Sequence, residues 1–226
     1  MNVLVIDVGG TGIKLLATGK HKRLRFDSGP LMSAKDMVAG VKKAAADAGW
    51  SYDVISMGYP GPVVHDCPMA EPHNLAKGWV KFDYAKAFGH PIKIINDAAM
   101  QALGSHNKGR MLFLGLGTGL GSAMVAESVV TPMELAHLPY KNGRTYEDYL
   151  GMRGLLRSGR KKWRKHVLEA VDQLRAALQA EYVVLGGGNA RLMKKLPSFV
   201  RLGDNNNAFR GGFRLWKKKH VKGISY

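Results

Sequence analysis

The chain has 226 residues and a formal net charge of +17, from 34 Lys and Arg against 17 Asp and Glu. This length suits one large domain or two lobes of about 100 residues each, and 46% hydrophobic residues can form a core. The one cysteine, Cys67, excludes an internal disulfide and a Cys-rich zinc site. The sequence has neither a signal-type segment nor an apolar run approaching the ~20 residues of a membrane span. We therefore expect a soluble, cytoplasmic protein with no membrane partner.

The first half of the chain is predicted to open with a β-hairpin and then to alternate strands and helices. The predicted elements are strands Val3–Val8, Ile13–Gly19 and Arg23–Asp27, a helix capped by Ser33 and running through Ala48, a strand Asp53–Met57, a loop-rich stretch at 63–82, a strand Pro91–Ile95, and a helix that follows Asn96-Asp97 and runs through Leu103.

The second half repeats the opening pattern and then becomes helical. The predicted elements are a hairpin within Met111–Glu127, a helix over 145–180, a strand Tyr182–Leu185, a glycine run Gly186–Gly188 leading into a further helix, and a last helix over Asn207–Lys218. This alternation is typical of the α/β class with mixed sheets. Two hairpin-led halves predict two similar lobes facing a central cleft, with a boundary near 106–109.

The excess positive charge is concentrated in four segments, at 21–25, 157–166, 191–195 and 216–222. A single such cluster is typical of a solvated helix face. Four together favour a polyanionic partner, either nucleic acid or inorganic polyphosphate. Charge alone does not distinguish the two.

The most informative feature is a turn that occurs twice, as Gly10-Thr11-Gly12 and as Gly117-Thr118-Gly119. Glycine permits positive φ and close approach of an anion, and successive N–H groups in such a turn form a nest for phosphate oxygens. Three residues before each turn, the first copy has Asp7 and the second has Leu114. One carboxylate beside two phosphate cradles suits a polyphosphate bridged by Mg²⁺, which Asp7 would hold directly or through water.

These turns, with motifs spread over almost the whole chain, resemble the ROK sugar kinases of the actin/hexokinase superfamily, and among them most of all the polyphosphate-dependent glucokinases. The motifs that carry the resemblance are Asp7-Val8-Gly9-Gly10-Thr11 with Lys14, Gly58-Tyr59-Pro60-Gly61-Pro62-Val63, Asn74 with Trp79, Asn96-Asp97, Leu116-Gly117-Thr118-Gly119 with Gly121, Glu134 with His137, Glu147, and Leu185-Gly186-Gly187-Gly188. No single motif is decisive, but all of them in the family's order make a specific signature.

The resemblance implies a fold of two actin/hexokinase-like (ribonuclease H-like) lobes and a site in the cleft between them. It implies Asp97 as the catalytic residue and Asp7 as the magnesium ligand. The implied sugar-binding residues are Gly61, Asn74, Asn96, Asp97, Glu134, His137 and Glu147. The implied phosphate- and nucleotide-binding residues are Asp7, Gly9, Gly10, Thr11, Gly12, Lys14, Gly117, Thr118, Gly119, Gly186, Gly187 and Gly188.

Two departures from the wider family bear on function. Many ROK proteins carry a Cys-rich zinc motif after Glu-x-x-His, whereas the stretch Leu138–Tyr146 has no cysteine, so no structural zinc is expected. The polyphosphate-using members lack this motif too. Repressor members place a DNA-binding domain before the first phosphate motif, and here only Met1 precedes Asn2-Val3, which disfavours a repressor.

A structural interpretation stands beside each functional one. Asp97 is either a general base for the sugar hydroxyl or a simple helix N-cap, for which Asp and Asn are favoured. His137 without Glu134 would be an ordinary structural histidine, and Lys14 a solvated strand residue. Asn74 has the alternative of a turn residue, Trp79 that of a core residue, and Gly186–Gly188 that of a tight strand-to-helix turn.

The sequence therefore predicts an N-terminal lobe at 1–107, completed by a C-terminal helix at 205–226, and a second lobe at 108–204. The expected activity is transfer of a terminal phosphoryl group from polyphosphate, ATP or both to a hexose, with the 6-OH of glucose favoured. One alternative is an ATP-dependent kinase for another sugar. Another is an inactive nucleic-acid-binding protein, which the intact acidic residues disfavour. A homodimer is a candidate assembly.

Overall fold

The computed structural model of the protein describes residues 1–127, 129–204 and 206–217. The last helix was predicted to run to Lys218, but it ends at Arg214. Lys218 itself and most of the basic segment at 216–222 fall in 218–226, outside the described residues. The strands are β1 (Val3–Gly9), β2 (Gly12–Ala17), β3 (Leu24–Phe26), β4 (Val54–Tyr59), β5 (Val63–Val64), β6 (Cys67–Pro68), β7 (Ile92–Asn96), β8 (Met111–Leu116), β9 (Leu120–Ala126), β10 (Val129–Met133), β11 (Pro139–Lys141), β12 (Arg144–Thr145), β13 (Tyr182–Gly186) and β14 (Val200–Leu202). The helices are α1 (Ala34–Asp47), α2 (Tyr84–Phe88), α3 (Asp97–Ser105), α4 (Tyr146–Leu150), α5 (Met152–Ala177) and α6 (Asn207–Arg214).

The two halves of the chain form two sheets of the same design. The strand order is β3-β2-β1-β4-β7 in sheet one and β10-β9-β8-β13-β14 in sheet two. In each sheet the first three strands are antiparallel and the remaining pairs are parallel. The two Gly-Thr-Gly turns therefore occupy equivalent places, between β1 and β2 and between β8 and β9, which confirms the predicted repeat with mixed sheets.

Strand β1 is buried on both faces, which explains why it is an unbroken apolar run rather than an alternating one. Leu4, Ile6 and Val8 belong to the core that includes the buried residues of α1. On the opposite face, Val3 and Val5 pack with Phe209 and Ala208 of α6 and with Met100 of α3. Asp7 lies at the end of this second face, so its carboxylate points towards the space between the sheets.

Helices α3 and α6 lie between the sheets and cross each other closely. The alanines of α3 pack on Phe113 and Ala123 of sheet two, while α6 packs on sheet one. The crossing requires glycine, because a Cβ on Gly104 or Gly211 would overlap the backbone carbonyl of Asn207 or Met100 respectively. This contact joins the two sheets through the helix that begins at Asp97.

The end of the chain returns to sheet one. Ser56 Oγ donates a hydrogen bond of 2.7 Å to the carbonyl of Gly212, and Trp216 Nε1 donates to the carbonyl of Ile55 over 3.2 Å. Lys93 Nζ donates to the carbonyl of Leu215 over 2.8 Å and lies over the Trp216 ring. These contacts fix α6 on the sheet formed by the first half of the chain.

The predicted helix over 145–180 is wrong as a single element. Helix α4 ends at Gly151, and α5 is broken at Gly159, whose φ of 71° and ψ of 160° leave the helical region. Glycine adopts this conformation without the steric cost that a Cβ would bring. By contrast, the prediction of Ser33 as N-cap is confirmed, because it forms a capping box with Asp36.

The helix predicted after Gly186–Gly188 is also wrong. That run leads only into one 3₁₀ turn at Ala190–Leu192 and then towards β14. Strands β10 and β14 and the ribbon β11–β12 were not predicted, since they are short and partly exposed and lack a clear alternating pattern. None of the described helices is both long and apolar enough to cross a membrane.

Candidate active site

The first phosphate turn is held by groups from β3 and the segment after it. Ser28 Oγ donates a 2.6 Å hydrogen bond to the carbonyl of Gly9, and an Arg25 guanidinium N–H donates to the carbonyl of Thr11 over 3.3 Å. Gly10 approaches Asn74 so closely that a Cβ there would lie 2.9 Å from the Asn74 Cβ. Asn74 therefore lies beside the turn Gly10-Thr11-Gly12. This is the position expected of a residue located where a sugar and a phosphate donor meet.

Asp7 and Lys14 are opposite each other in the β1–β2 register. Lys14 Nζ donates to Asp7 Oδ2 over 2.9 Å, and the Asp7 side chain is 13% exposed against 44% for Lys14. Lys14 is therefore an ion-pair partner at the site rather than a freely solvated strand residue. The pair places one positive and one negative charge directly below the first turn.

The second turn, Gly117-Thr118-Gly119, is held by hydrogen bonds to two side chains, one after β13 and one in α4. Asn189 Nδ2 donates to the carbonyl of Gly117 over 3.0 Å, and the backbone N–H of Leu120 donates to Glu147 Oε2 over 3.1 Å. Glu147 also reaches to within 3.6 Å of the Arg153 guanidinium. The predicted sugar ligand Glu147 thus lies directly against the second turn.

The glycine run after β13 divides into two parts. Gly186 is buried against Phe113, so it is a packing residue and does not line a cavity. Gly187, at φ 78°, and Gly188 are exposed and line a cavity of about 360 Å³. The other residues lining this cavity are Ala190, Arg191, Leu202, Gly203 and Asp204.

Asp97 lies where β7 ends and α3 begins, and two glycines let both sheets approach it. A Cβ on Gly58 of β4 would lie 3.5 Å from the Asp97 Cα, and a Cβ on Gly121 of β9 would lie 2.7 Å from the Cβ of Ala98. The N-cap role belongs to Asn96, whose Oδ1 accepts from the N–H of Ala99 over 3.1 Å. The Asp97 carboxylate is therefore not needed as the helix cap.

The Asp97 side chain is half-buried and has an unusual acidity. Burial, followed by the negative charge of Asp7, raises the pKa of its carboxyl to about 7. The carboxylate of Glu134 acts in the same direction, while the backbone N–H groups of Ala98 and Asp97 limit the rise. The carboxylates of Asp7 in β1 and Glu134 after β10 are thus both close enough to Asp97 to oppose its ionisation.

Glu134 and His137 flank a 3₁₀ turn that follows β10. His137 Nε2 lies 3.8 Å from Glu134 Oε2, with side chains 75% and 62% exposed. The two side chains therefore lie on the same face of this turn. Both side chains keep hydrogen-bonding capacity for a polyhydroxylated ligand.

The remaining sugar-motif residues divide between site and core. Asn96 Nδ2 donates to the carbonyl of Gly61 over 3.1 Å, which ties the Gly-x-Pro-Gly segment to the start of α3. Trp79 is fully buried, and its Nε1 donates to the carbonyl of Met32. Of the two interpretations of Trp79, the core one is therefore correct.

In residues 1–127, 129–204 and 206–217, no three His, Cys, Asp or Glu side chains form a group that could hold a metal ion. A site for Mg²⁺ needs fewer protein ligands, because Mg²⁺ keeps several waters and takes one or two carboxylates together with substrate phosphates. Asp7, below the first phosphate turn and facing Asp97, fits that requirement. The residues at the site that sequence reasoning missed are Arg25, Ser28 and Asn189. The only sequence signal for Arg25 was its membership of the basic segment 21–25, and its position opposite Lys14 is known from the structure.

Two sheets of the same strand order, each with a Gly-Thr-Gly turn between two consecutive antiparallel strands, match the fold that the resemblance to the actin/hexokinase class implied. No protein-family model matches the chain. Polyphosphate glucokinase of Mycobacterium tuberculosis is 28% identical to it over 215 residues, covering 84% of this chain and 78% of the relative.

Solved structures agree on the fold. The inorganic polyphosphate/ATP-glucomannokinase of Arthrobacter sp. strain KM superposes with a TM-score of 0.79 at 22% identity, covering 93% of this chain and 96% of that one. A ROK family glucokinase of Streptomyces griseus, in complex with glucose and AMPPNP, has a TM-score of 0.73 at 16% identity, covering 95% and 99%. The resemblance to the ROK sugar kinases and the predicted fold are thereby confirmed.

Proposed function

We propose that this protein is a hexose kinase that transfers a terminal phosphoryl group from polyphosphate, ATP or both to the 6-OH of glucose. The observation that carries this proposal is the placement of Asp97. Burial and the negative charges of Asp7 and Glu134 raise the pKa of its carboxyl to about 7, and the residue lies between the sheets that carry the two Gly-Thr-Gly turns. A base with a pKa near the working pH is the group that a hydroxyl nucleophile requires.

In the proposed reaction, the Asp97 carboxylate accepts the proton of the sugar hydroxyl as that oxygen attacks phosphorus. Glu134 and His137 bind other sugar hydroxyls, with Asn74, Asn96, Gly61 and Glu147 completing the sugar site. The donor phosphates lie on the N–H groups of the two turns, and Lys14 lies beside the first of them. Closure of the cleft over the sugar would exclude water and so limit hydrolysis of the donor.

Asp7 is the proposed residue for Mg²⁺, directly or through water. When bound, the ion would neutralise charge on the donor phosphates. Lys14 donates a hydrogen bond to one carboxylate oxygen of Asp7. The other oxygen is therefore the one left for a cation or its water shell. The positive charge would also offset the repulsion between Asp7 and Asp97.

Polyphosphate as a donor is supported by the names of the relatives and by the surface beside the cavity. Arg164 of α5 donates from Nε to the carbonyl of Leu192 over 2.6 Å, so two basic segments, 157–166 and 191–195, form one surface. Arg191 from this surface lines the cavity next to Gly187 and Gly188. A long polyanion that leaves the phosphate turns would thus meet continuous positive charge.

ATP as a donor is supported by the same cavity. Its volume of about 360 Å³, beside a glycine run that follows a strand, is of the size that small-molecule sites have. An ATP-dependent kinase for a different sugar therefore stays as the second candidate. The lobe boundaries at 107 and 204, the cytoplasmic location and the homodimer stay predictions, and a nucleic-acid partner stays disfavoured.

The deciding experiment is a coupled assay of a sugar panel against ATP and polyphosphate in parallel, each with Mg²⁺. We expect glucose to be phosphorylated from polyphosphate. Normal activity from ATP with none from polyphosphate would contradict the polyphosphate proposal and favour the second candidate. Salt-sensitive binding to DNA without turnover of any sugar would contradict the kinase proposal itself.

A further inference from the structure

Three charged residues form a row across the first three strands of sheet one. Asp7 of β1 is opposite Lys14 of β2, and Lys14 is opposite Arg25 of β3. Residues opposite one another in adjacent strands point to the same face of a sheet. Arg25 therefore lies on the same face as Asp7, the face that ends in the cleft.

The Arg25 side chain does not extend straight into solvent but lies along the first phosphate turn. One guanidinium N–H reaches the carbonyl of Thr11, and a Cβ on Gly12 would lie 2.8 Å from the Arg25 Nε. The missing side chain of Gly12 is thus what makes room for the guanidinium. Ser28, three residues further on, donates to the carbonyl of Gly9 on the other side of the turn.

These two hydrogen bonds have a consequence for anion binding. An anion nest works only when the N–H groups of the turn converge on the ligand, so the carbonyls of the turn need donors from elsewhere. Arg25 and Ser28 are those donors for Thr11 and Gly9. They hold the turn in the conformation that presents its N–H groups.

Ion pairing does not account for the position of Arg25. Its nearest carboxylate belongs to Asp27, at 3.5 Å, and that side chain is 90% exposed, so the pair adds little. The guanidinium has five N–H donors in a planar fork, and the Thr11 carbonyl takes only one of them. The other N–H groups stay available beside the turn.

We propose that Arg25 binds the donor, with its guanidinium on the phosphoanhydride chain next to the first turn, and that Ser28 is a positioning residue for that turn. This inference rests on the proposed kinase function. The ligand is the phosphate chain that ATP and polyphosphate have in common. Arg25 therefore serves either donor alike, unlike the basic surface on α5, which would serve only a long chain.

The test measures binding of tripolyphosphate by calorimetry, in the presence of glucose and Mg²⁺, to the intact protein and to Arg25→Gln, Arg25→Lys and Lys86→Gln. Lys86 is an exposed residue of α2 and controls for the loss of one positive charge from the same half of the chain. We expect Arg25→Gln to weaken binding about tenfold or more, Arg25→Lys to restore part of it, and Lys86→Gln to change it less than about twofold. In turnover, the KM values for ATP and polyphosphate should rise by the same factor, with glucose affinity unchanged.

The variant Ser28→Ala distinguishes positioning of the first turn from direct contact with the phosphate chain. It removes no charge, so we expect a loss of tripolyphosphate binding that does not diminish with added salt, whereas the loss in Arg25→Gln should diminish. Equal binding by Arg25→Gln and Lys86→Gln, with circular dichroism showing both folded, would overturn the assignment of Arg25. Weakened tripolyphosphate binding in Arg25→Gln, in a protein that phosphorylates no sugar, would contradict the kinase function and leave Arg25 as an anion-binding residue. A protein that binds no tripolyphosphate would contradict both.

Discussion

Asp97 is the residue on which the proposed chemistry depends most. Its neighbour Asn96 takes over the capping of α3, and the charges of Asp7 and Glu134 oppose its ionisation. A carboxyl in this setting is only half ionised near neutral pH. Small changes in its surroundings therefore alter the fraction of Asp97 that is ionised and can accept a proton.

We expect Asp97→Asn to lower kcat by about 10²–10⁴-fold while sparing glucose affinity, because the amide keeps the shape but does not accept a proton. In the unaltered protein, kcat/KM for the sugar should rise with pH through an apparent pKa near 7, because the base is active only when ionised. Steady-state kinetics between pH 5.5 and 8.5, with calorimetry of glucose, measure both. A variant that kept more than about a tenth of kcat, with chemistry rate-limiting, would exclude Asp97 as the base.

The same substitution should stabilise the fold at high pH. The folded-state pKa of Asp97, about 7, lies above its ordinary value of 3.8, so the folded protein holds this proton more tightly than the unfolded chain. Stability of the unaltered protein is therefore lost as pH rises from 4 through 7. Asp97→Asn should have a free energy of unfolding higher by on the order of 2 kcal/mol at pH 8.5, and the gain should shrink towards pH 5. A gain equal at both pH values would point to packing rather than charge.

Glu134→Ala and His137→Ala should each weaken glucose binding by about 1–3 kcal/mol, because a sugar hydroxyl loses its partner. Donor binding should change little, since these residues flank the 3₁₀ turn after β10 and have no contact with either phosphate turn among the described residues. Calorimetric titrations with glucose and with tripolyphosphate compare the two. Unchanged glucose affinity in both variants would remove them from the sugar site.

At the scale of elements, α3 is the helix that positions the site relative to the two sheets. Its first residue is Asp97, its alanines pack on sheet two, and its last turn crosses α6, which packs on sheet one. The position of Asp97 between the two sheets is therefore set by the crossing of two helices at Gly104 and Gly211.

Gly104→Ala should be strongly destabilising, because the new Cβ would overlap the Asn207 carbonyl and push the helices apart. We expect a loss of about 2 kcal/mol or more in the free energy of unfolding, measured by urea denaturation at constant slope. Gly29→Ala is the matched control, since its Cβ would meet nothing within 4 Å. Similar losses in both variants would show that the crossing is not tight.

The sequence predicted some elements well and others poorly, for physical reasons. Helix α1 was bounded correctly because Ser33 and Asp36 form a capping box with a local signature. The helix expected after Gly188 failed because the same glycine run serves a tight turn, in which Gly187 packs under the carbonyl of Leu116. The break of α5 at Gly159 was missed because one glycine in a helical pattern is usually tolerated.

At the scale of the whole molecule, the net charge of +17 is a feature that the fold itself does not require. The structure brings the segments 157–166 and 191–195 into one surface through Arg164, next to the cavity at Gly187. Another basic segment, 21–25, supplies Arg25 to the first phosphate turn. The clusters within the described residues therefore have different positions relative to the site, and among them the joined surface offers a path for a long chain.

We expect the KM for polyphosphate to rise about tenfold or more between about 50 and 200 mM salt, and the KM for ATP only modestly, because a long polyanion is held by many screened contacts. Changing Arg160, Lys161, Lys162 and Lys165 to Gln should raise the polyphosphate KM and leave the glucose KM nearly unchanged. Arg164 is kept because it holds Leu192. The control replaces four exposed lysines elsewhere, Lys35, Lys43, Lys86 and Lys108. An equal effect in the control would show that net charge, rather than this surface, attracts the donor.

The sequence by itself determined the α/β class, the repeat of two hairpin-led halves, the two phosphate turns and the order of the motifs. These follow from local rules, since glycine turns, caps and apolar runs are read within a few residues. Only the tertiary structure decided that Asp7 and Glu134 raise the pKa of Asp97 and that Glu147 accepts a hydrogen bond from the second turn. It also decided that Trp79 is a core residue and that Arg25 donates to the Thr11 carbonyl. A carboxyl's pKa and a side chain's hydrogen bonds depend on burial and on neighbours far away in the chain, which spacing along the sequence does not encode.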